Sequence, residues 1–269
     1  MPQISVFTSV INAYLPEPHA SLANGILFGA PLRTTKLFYQ QLKIVGLLHI
    51  VVLSGINITL LAAIVGQTTK FVSKRLSILI TILIIISFII FVGPQAPIIR
   101  AGIMGILTLV AITYGRRNFA IYSLFLSFVF TLIFYSRWIM TISFQLSYAA
   151  TLGLIIFAKK SVDNQNENLI LKLKNYIKDE FITSISAQIF TAPIIFFYFK
   201  EISIISPLAN LLVSFTIAPL MVFGFLTAIL GKIHFFLGII PAYICYGLLS
   251  YVVWIVENLA KLQFAYLKF

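Results

Sequence analysis

Along the chain, long apolar runs alternate with short polar breaks. Eight runs stand out, at 46–66, 76–93, 97–114, 118–136, 138–158, 181–199, 203–230 and 233–256. Each approaches the roughly 20 residues a helix needs to cross a ~30 Å hydrocarbon layer. A helix suits that layer because it satisfies every backbone N–H and C=O within the segment. The pattern predicts an all-α, polytopic membrane bundle of about eight transmembrane helices. The breaks at 93–97 and 136–137 are so short that neighbouring helices must form antiparallel hairpins. The run at 203–230 contains Pro207 and Pro219, which predicts a broken helix there. The one sizeable loop is 159–180, in which 169–177 alternates apolar and basic residues, as a segment lying along lipid headgroups would. Three regions follow: an interfacial, amphipathic segment at 1–45, a transmembrane domain at 46–256 and a short tail at 257–269.

Composition sharpens the choice of solvent. Of 269 residues, 60% are hydrophobic and 10% charged, and the mean hydropathy is +1.04. Soluble domains are about 45 to 50% apolar and about 25% charged, so the bilayer is the expected medium. The charges are lopsided, with 19 Lys and Arg against 7 Asp and Glu, a net +12. No acidic residue occurs between Glu17 and Asp163. The loops after the first, third, fifth and seventh runs hold eleven basic residues and the opposite side seven. By the positive-inside tendency, the first set faces the cytoplasm and both termini lie outside. The same surplus would also attract a polyanion.

Several kinds of chemistry are disfavoured. A single cysteine, Cys245, gives no disulfide framework. His19, His49 and His234 lack the spacing of a zinc site, and no Gly-rich phosphate loop is present. No cofactor or metal is expected. The N-terminus has no basic region ahead of its apolar stretch and does not read as a signal peptide.

Polar residues inside apolar runs carry more information, because hydrocarbon penalises them unless they face protein or water. Ser206, Asn210 and Ser214 recur every fourth residue, as do Ser143, Ser147 and Thr151, with Gln145 on the opposite face. Ser184, Gln188 and Thr191 form a third stripe, and Ser54 and Asn57 flank Gly55 in the first run. Such stripes serve either as interhelical glue or as the lining of a polar passage. Arg100 stands four residues into the third run, with no acidic residue in the first five runs to pair with it. It must snorkel, bind backbone carbonyls or meet an anion. His49 and Ser54 invite a base-and-nucleophile reading, but a five-residue offset turns them about 140° apart on a helix. No acid near them in sequence orients the imidazole.

At these motifs the sequence resembles the ComEC competence-protein family. The resemblance rests on LPEPHASLANGILFGAPL (15–32), GLLHIVVLSGINITLL (46–61), IIRAGIMGILTLVAITYGRR (98–117), FQLSYAATLGLI (144–155), AQIFTAPIIFFYF (187–199) and SPLANLL (206–212), in that order. It implies a multi-pass channel of the bacterial cytoplasmic membrane that passes single-stranded DNA inward during natural transformation. The positions it carries over are His49, Ser54, Gly55, Arg100, Gln145, Ser147 and Asn210. Asn57 stands where the family usually has histidine, and VSFTIAP follows SPLANLL in place of the family's proline-containing continuation. Longer relatives carry an OB-type domain and a metallo-β-lactamase-like domain proposed as a nuclease. The chain shows neither, so a channel rather than an enzyme is expected, with any nuclease a separate partner. By resemblance, the other partners are the lipid bilayer, a ComEA-like DNA receptor and a cytosolic helicase or ATPase. The candidate path comprises His49, Ser54, Asn57, Arg100, Gln145, Ser147, Gln188, Asn210 and Ser214. A transporter or flippase for another anionic substrate, such as a lipid-linked or phosphorylated metabolite, is the alternative reading of the same acid-poor interior.

Overall fold

The computed structural model describes residues 2–51, 55–115, 119–158, 169–262 and 266–268. The chain folds as α1 (Pro2–Tyr14), α2 (His19–Phe28), α3 (Lys36–Val45), α4 (Leu48–Val51), α5 (Gly55–Thr68), α6 (Lys74–Val92), α7 (Ala96–Thr113) and α8 (Ala120–Phe134). A short 3-10 helix (Ser136–Met140) leads to α9 (Ile142–Phe157), α10 (Leu169–Phe199), α11 (Ser206–Ile233) and α12 (Phe235–Leu259). Two three-residue strands, β1 (Glu201–Ser203) and β2 (Tyr266–Lys268), pair antiparallel.

Local sequence sets several of the boundaries. The hydroxyls of Thr35, Ser73 and Thr141 accept the backbone N–H of Phe38, Leu76 and Phe144, capping α3, α6 and α9. Pro97 and Pro207 lie in the first turns of α7 and α11, where a missing N–H costs nothing. Gly46 ends α3 with φ +76°, and a Cβ there would meet Ser206 Cβ at 2.7 Å. Only glycine serves both demands.

Several expectations are corrected. Among the described residues, five helices are long and apolar enough to cross a membrane: α6, α7, α10, α11 and α12. This makes the chain an all-α membrane protein but does not support about eight spans. Helix α8 has 15 residues and α9 has 16, about 22 to 24 Å of rise, because the 3-10 helix consumes 136–140. The run at 46–66 contributes α4 and α5 on either side of 52–54, which lie outside the described residues.

The helix expected to break at 203–230 is continuous from Ser206 to Ile233, while Ser203 belongs to β1. Pro219 lies inside α11, but the following Leu220 and Met221 are fully buried. Tertiary packing outweighs the roughly 3 kcal/mol an interior proline costs. The second half of the expected 159–180 loop is also helix, since α10 begins at Leu169 and meets no Gly or Pro before Pro193. The first half, 159–168, lies outside the described residues.

Among the described residues, two apolar clusters hold the bundle. The larger gathers α1 to α4 with α11 and α12, and every residue from Ala20 to Phe28 of α2 is buried in or beside it. The smaller joins α5, α6 and α7 through Ile58, Ile85, Phe88 and Ile98. Helix α9 packs along α10, where a Cβ at Gly153 would overlap the Ser186 carbonyl oxygen. Exposed apolar side chains cover α6, α8 and α12 (Leu79, Leu83, Phe125, Leu126, Ile240 and Trp254 among them), the surface of a protein solvated by hydrocarbon.

Candidate functional site

Arg100 enters from the first turns of α7 and is 9% exposed. One guanidinium nitrogen, Nη1, donates to the Ser147 carbonyl oxygen and to Thr151 Oγ1, both on α9. The other, Nη2, lies 2.9 Å from where a Cβ at Gly55 would stand. Nε is buried and has no partner among the described residues. Of the three fates open to this side chain on sequence grounds, hydrogen bonding to backbone carbonyl is the one observed. A hydroxyl, itself donating to the Ser147 carbonyl, completes the set. These partners are neutral, so the positive charge of Arg100 is solvated by dipoles rather than cancelled.

Helix α9 carries a second polar contact toward α8. Tyr148 Oη donates to Ser127 Oγ at 3.1 Å and lies 3.4 Å from Thr131 Oγ1. Ser127 and Thr131 are almost wholly buried. This contact escaped the sequence reading, although Ser123, Ser127 and Thr131 recur every fourth residue, the same signal that marked the other stripes. Gln145, two residues from Ser147 and therefore on the opposite face, is half-buried.

A third polar region lies where α10, β1 and the start of α11 meet. Asn210 Nδ2 donates to Ser184 Oγ at 2.8 Å, and Gln188 Nε2 donates to the Ser203 carbonyl at 2.6 Å. The Ser214 and Tyr176 hydroxyls are 3.4 Å apart. Asn210 Oδ1 and Ser203 Oγ are buried without a partner among the described residues, which marks a place for water or a polar ligand.

The remaining sequence candidates lie elsewhere. Asn57, 3% exposed, donates to the Ile26 carbonyl at 2.7 Å and ties α5 to α2. His49 is exposed, and its Nδ1–H donates to the Gly46 carbonyl at 2.9 Å. Ser54 lies outside the described residues. The structure therefore brings Arg100 and Ser147 together, and gathers Gln188, Asn210 and Ser214 along the α10–α11 interface. Asn57 and His49 belong to neither group. Among the described residues, no three His, Cys, Asp or Glu side chains cluster as metal ligands.

The chain is 23% identical over 238 residues to ComE operon protein 3 of Bacillus subtilis (strain 168). That alignment covers 84% of this chain but 29% of the relative, so the chain spans less than a third of that protein's length. No solved structure matches the chain. The Competence protein family matches residues 26–269, a range that holds Arg100, its α9 partners and the α10–α11 seam. With nine-tenths of its residues inside that match, this membrane-helical chain belongs to the Competence protein family.

Proposed function

We propose that the chain is the membrane conduit of a DNA-uptake system, passing single-stranded DNA across the bacterial cytoplasmic membrane. The observation that carries this reading is Arg100, a buried cation held by a carbonyl and a hydroxyl inside an apolar helix. Every nucleotide of a passing strand brings a phosphate, and a carboxylate beside the path would repel it. No acidic residue lies between Glu17 and Asp163. Membership of the Competence protein family and likeness to a ComE operon protein support the DNA reading over other anions.

In this reading Ser147, Gln188, Asn210 and Ser214 border the path, with Arg100 near one end. Driving force and strand degradation are assigned to other proteins: a DNA receptor outside, a helicase or ATPase inside, and a nuclease acting on the second strand. The chain itself is read as a conduit rather than an enzyme.

The test is a deletion strain with the other competence genes intact, assayed for uptake of labelled DNA and for transformation. Loss of both, restored by the parent gene but not by Arg100→Ala or Asn210→Ala, is the expected result. Normal transformation in the deletion strain overturns the proposal. Normal DNA uptake with failed export or import of a phosphorylated metabolite or lipid would instead select an anion transporter. Path lining is read by placing cysteines at Ser147, Gln188 and Ser214 in a Cys245→Ser background. Labelling by aqueous thiol reagents is expected, and uniform protection would make these residues interhelical glue.

A further inference from the structure

Between α8 and α9 the chain makes a concave turn that none of the features above uses. Phe134, Tyr135, Ser136, Arg137 and Trp138 line an open cup of about 240 Å³. The rings of Tyr135 and Trp138 stack on one another, 4.2 Å between centroids and 14° from parallel. The backbone fixes that pair, because the 3-10 turn closes with Trp138 N–H donating to the Tyr135 carbonyl at 2.9 Å. Arg137 between them is exposed, and it stands inside the acid-free stretch between Glu17 and Asp163.

The cup also has a defined place in the bundle. It lies at the N-terminal end of α9, which starts at Ile142. The groups that hold Arg100, Ser147 and Thr151, are five and nine residues further along that helix. At 1.5 Å per residue they lie about 8 to 14 Å along its axis. The cup thus sits at the surface at one end of the bundle, and the Arg100 contacts lie within it, about halfway along α9 from that end.

We propose that this cup is a docking platform for a nucleotide of single-stranded DNA at that mouth. A base stacks on the preformed aromatic pair, Arg137 takes the adjoining phosphate, and Ser136 offers a hydroxyl. Stacking on aromatic side chains beside cations is how single strands are held without sequence preference, since every base has a π face. A rigid, pre-stacked pair loses little conformational freedom on binding. The size of the cup and the exposed Arg137 in its lining favour this occupant over simple anchoring of aromatic rings at the headgroup level. This inference rests on the DNA-conduit reading and names where the strand is first engaged.

The chain has two tryptophans, Trp138 and Trp254, so a Trp254→Phe protein reports on the cup alone. In phosphatidylcholine nanodiscs, titration with oligo(dT) is expected to quench Trp138 saturably. Arg137→Gln should reduce the slope of log affinity against log salt by about 0.7, the contribution of one phosphate contact on a single strand. Read by the fluorescence anisotropy of dye-labelled oligo(dT), Trp138→Ala should weaken binding roughly tenfold or more, and Trp138→Phe should keep most of it. Circular dichroism monitors folding, and if Trp138→Ala misfolds, Arg137→Gln and the quenching titration decide.

Oligo(dT) that leaves Trp138 unquenched overturns the proposal. So does quenching by phosphatidylglycerol vesicles alone, which would make the cup a lipid anchor, and so does unchanged binding in both variants. The two readings separate cleanly in cells. A deletion strain that still imports DNA sinks the conduit, whereas parent-level uptake in the Arg137→Gln and Trp138→Ala strains sinks only the platform.

Discussion

A guanidinium in a membrane-spanning helix costs at most about 2.5 to 3.5 kcal/mol on insertion scales, the value at the helix centre, and Arg100, in the first turns of α7, offsets its cost through two acceptors on α9. The Ser147 carbonyl would remain if the hydroxyl were lost. Thr151→Val should therefore lower stability by about 1 to 3 kcal/mol, the usual penalty for stripping a partner from a buried polar group. Thermal unfolding of the detergent-solubilised protein checks this. The effect should be less than additive with Arg100→Gln, because both changes remove the same contact.

His19 lies outside the spans, on α2. Its Nε2 is 3.0 Å from Ser250 Oγ, and its ring stacks on Tyr246 at 4.8 Å. Burial lowers its pKa below the usual 6.5, against a smaller raising effect of Glu17. The folded chain then binds a proton less readily than the unfolded one. Its contribution to stability is flat above the unfolded value near 6.5 and falls as the pH drops below it. A melting curve taken across pH 7.5 to about 5 should show this decline, and His19→Gln should flatten it.

At the scale of elements, close packing is set by glycines whose absent side chains let helices touch. Helix α9 approaches α10 so closely that a Cβ on Gly153 would overlap the Ser186 carbonyl oxygen. Backbone cannot yield as a flexible side chain can, so Gly153→Val should force α9 and α10 apart. A drop of several degrees in melting temperature is expected, with increased proteolysis between them. The α8–α9 contact is softer. Tyr148→Phe removes the hydroxyl bonded to Ser127, and single interhelical hydrogen bonds in membranes contribute about 0.6 to 1.7 kcal/mol. A melting shift much larger than that range implies would show that Tyr148 does more than join two helices. Helix α10 illustrates a different lesson: its basic first turns read as a surface segment, yet nothing in them breaks a helix, and the element runs through 31 residues.

The whole molecule is organised around α11 and α12, against which α1 to α4 bury their apolar faces. The chain also closes on itself, since Tyr266–Lys268 pairs with Glu201–Ser203, beside the Gln188 contact to Ser203. Truncation after Leu262 removes this strand. If the pairing holds β1 in register, truncation should raise hydrogen exchange at 201–203 and leave α6 and α7 unchanged.

The division between what was legible and what was not follows the range of the interactions. Helical content and the bilayer as solvent were determined by the sequence, because backbone satisfaction and apolar periodicity are local. The singular status of Arg100 was equally local, a charge within an apolar run. Its acceptors were not, for they lie 47 and 51 residues away, and only the packing of α7 on α9 selected carbonyl and hydroxyl from the options open to it. The burial of α2, the continuity of α11 through Pro219 and the pairing of β1 with β2 were likewise decided by tertiary contacts. Each depends on a neighbour distant in sequence, and that neighbour supplies the free energy that local preference lacks.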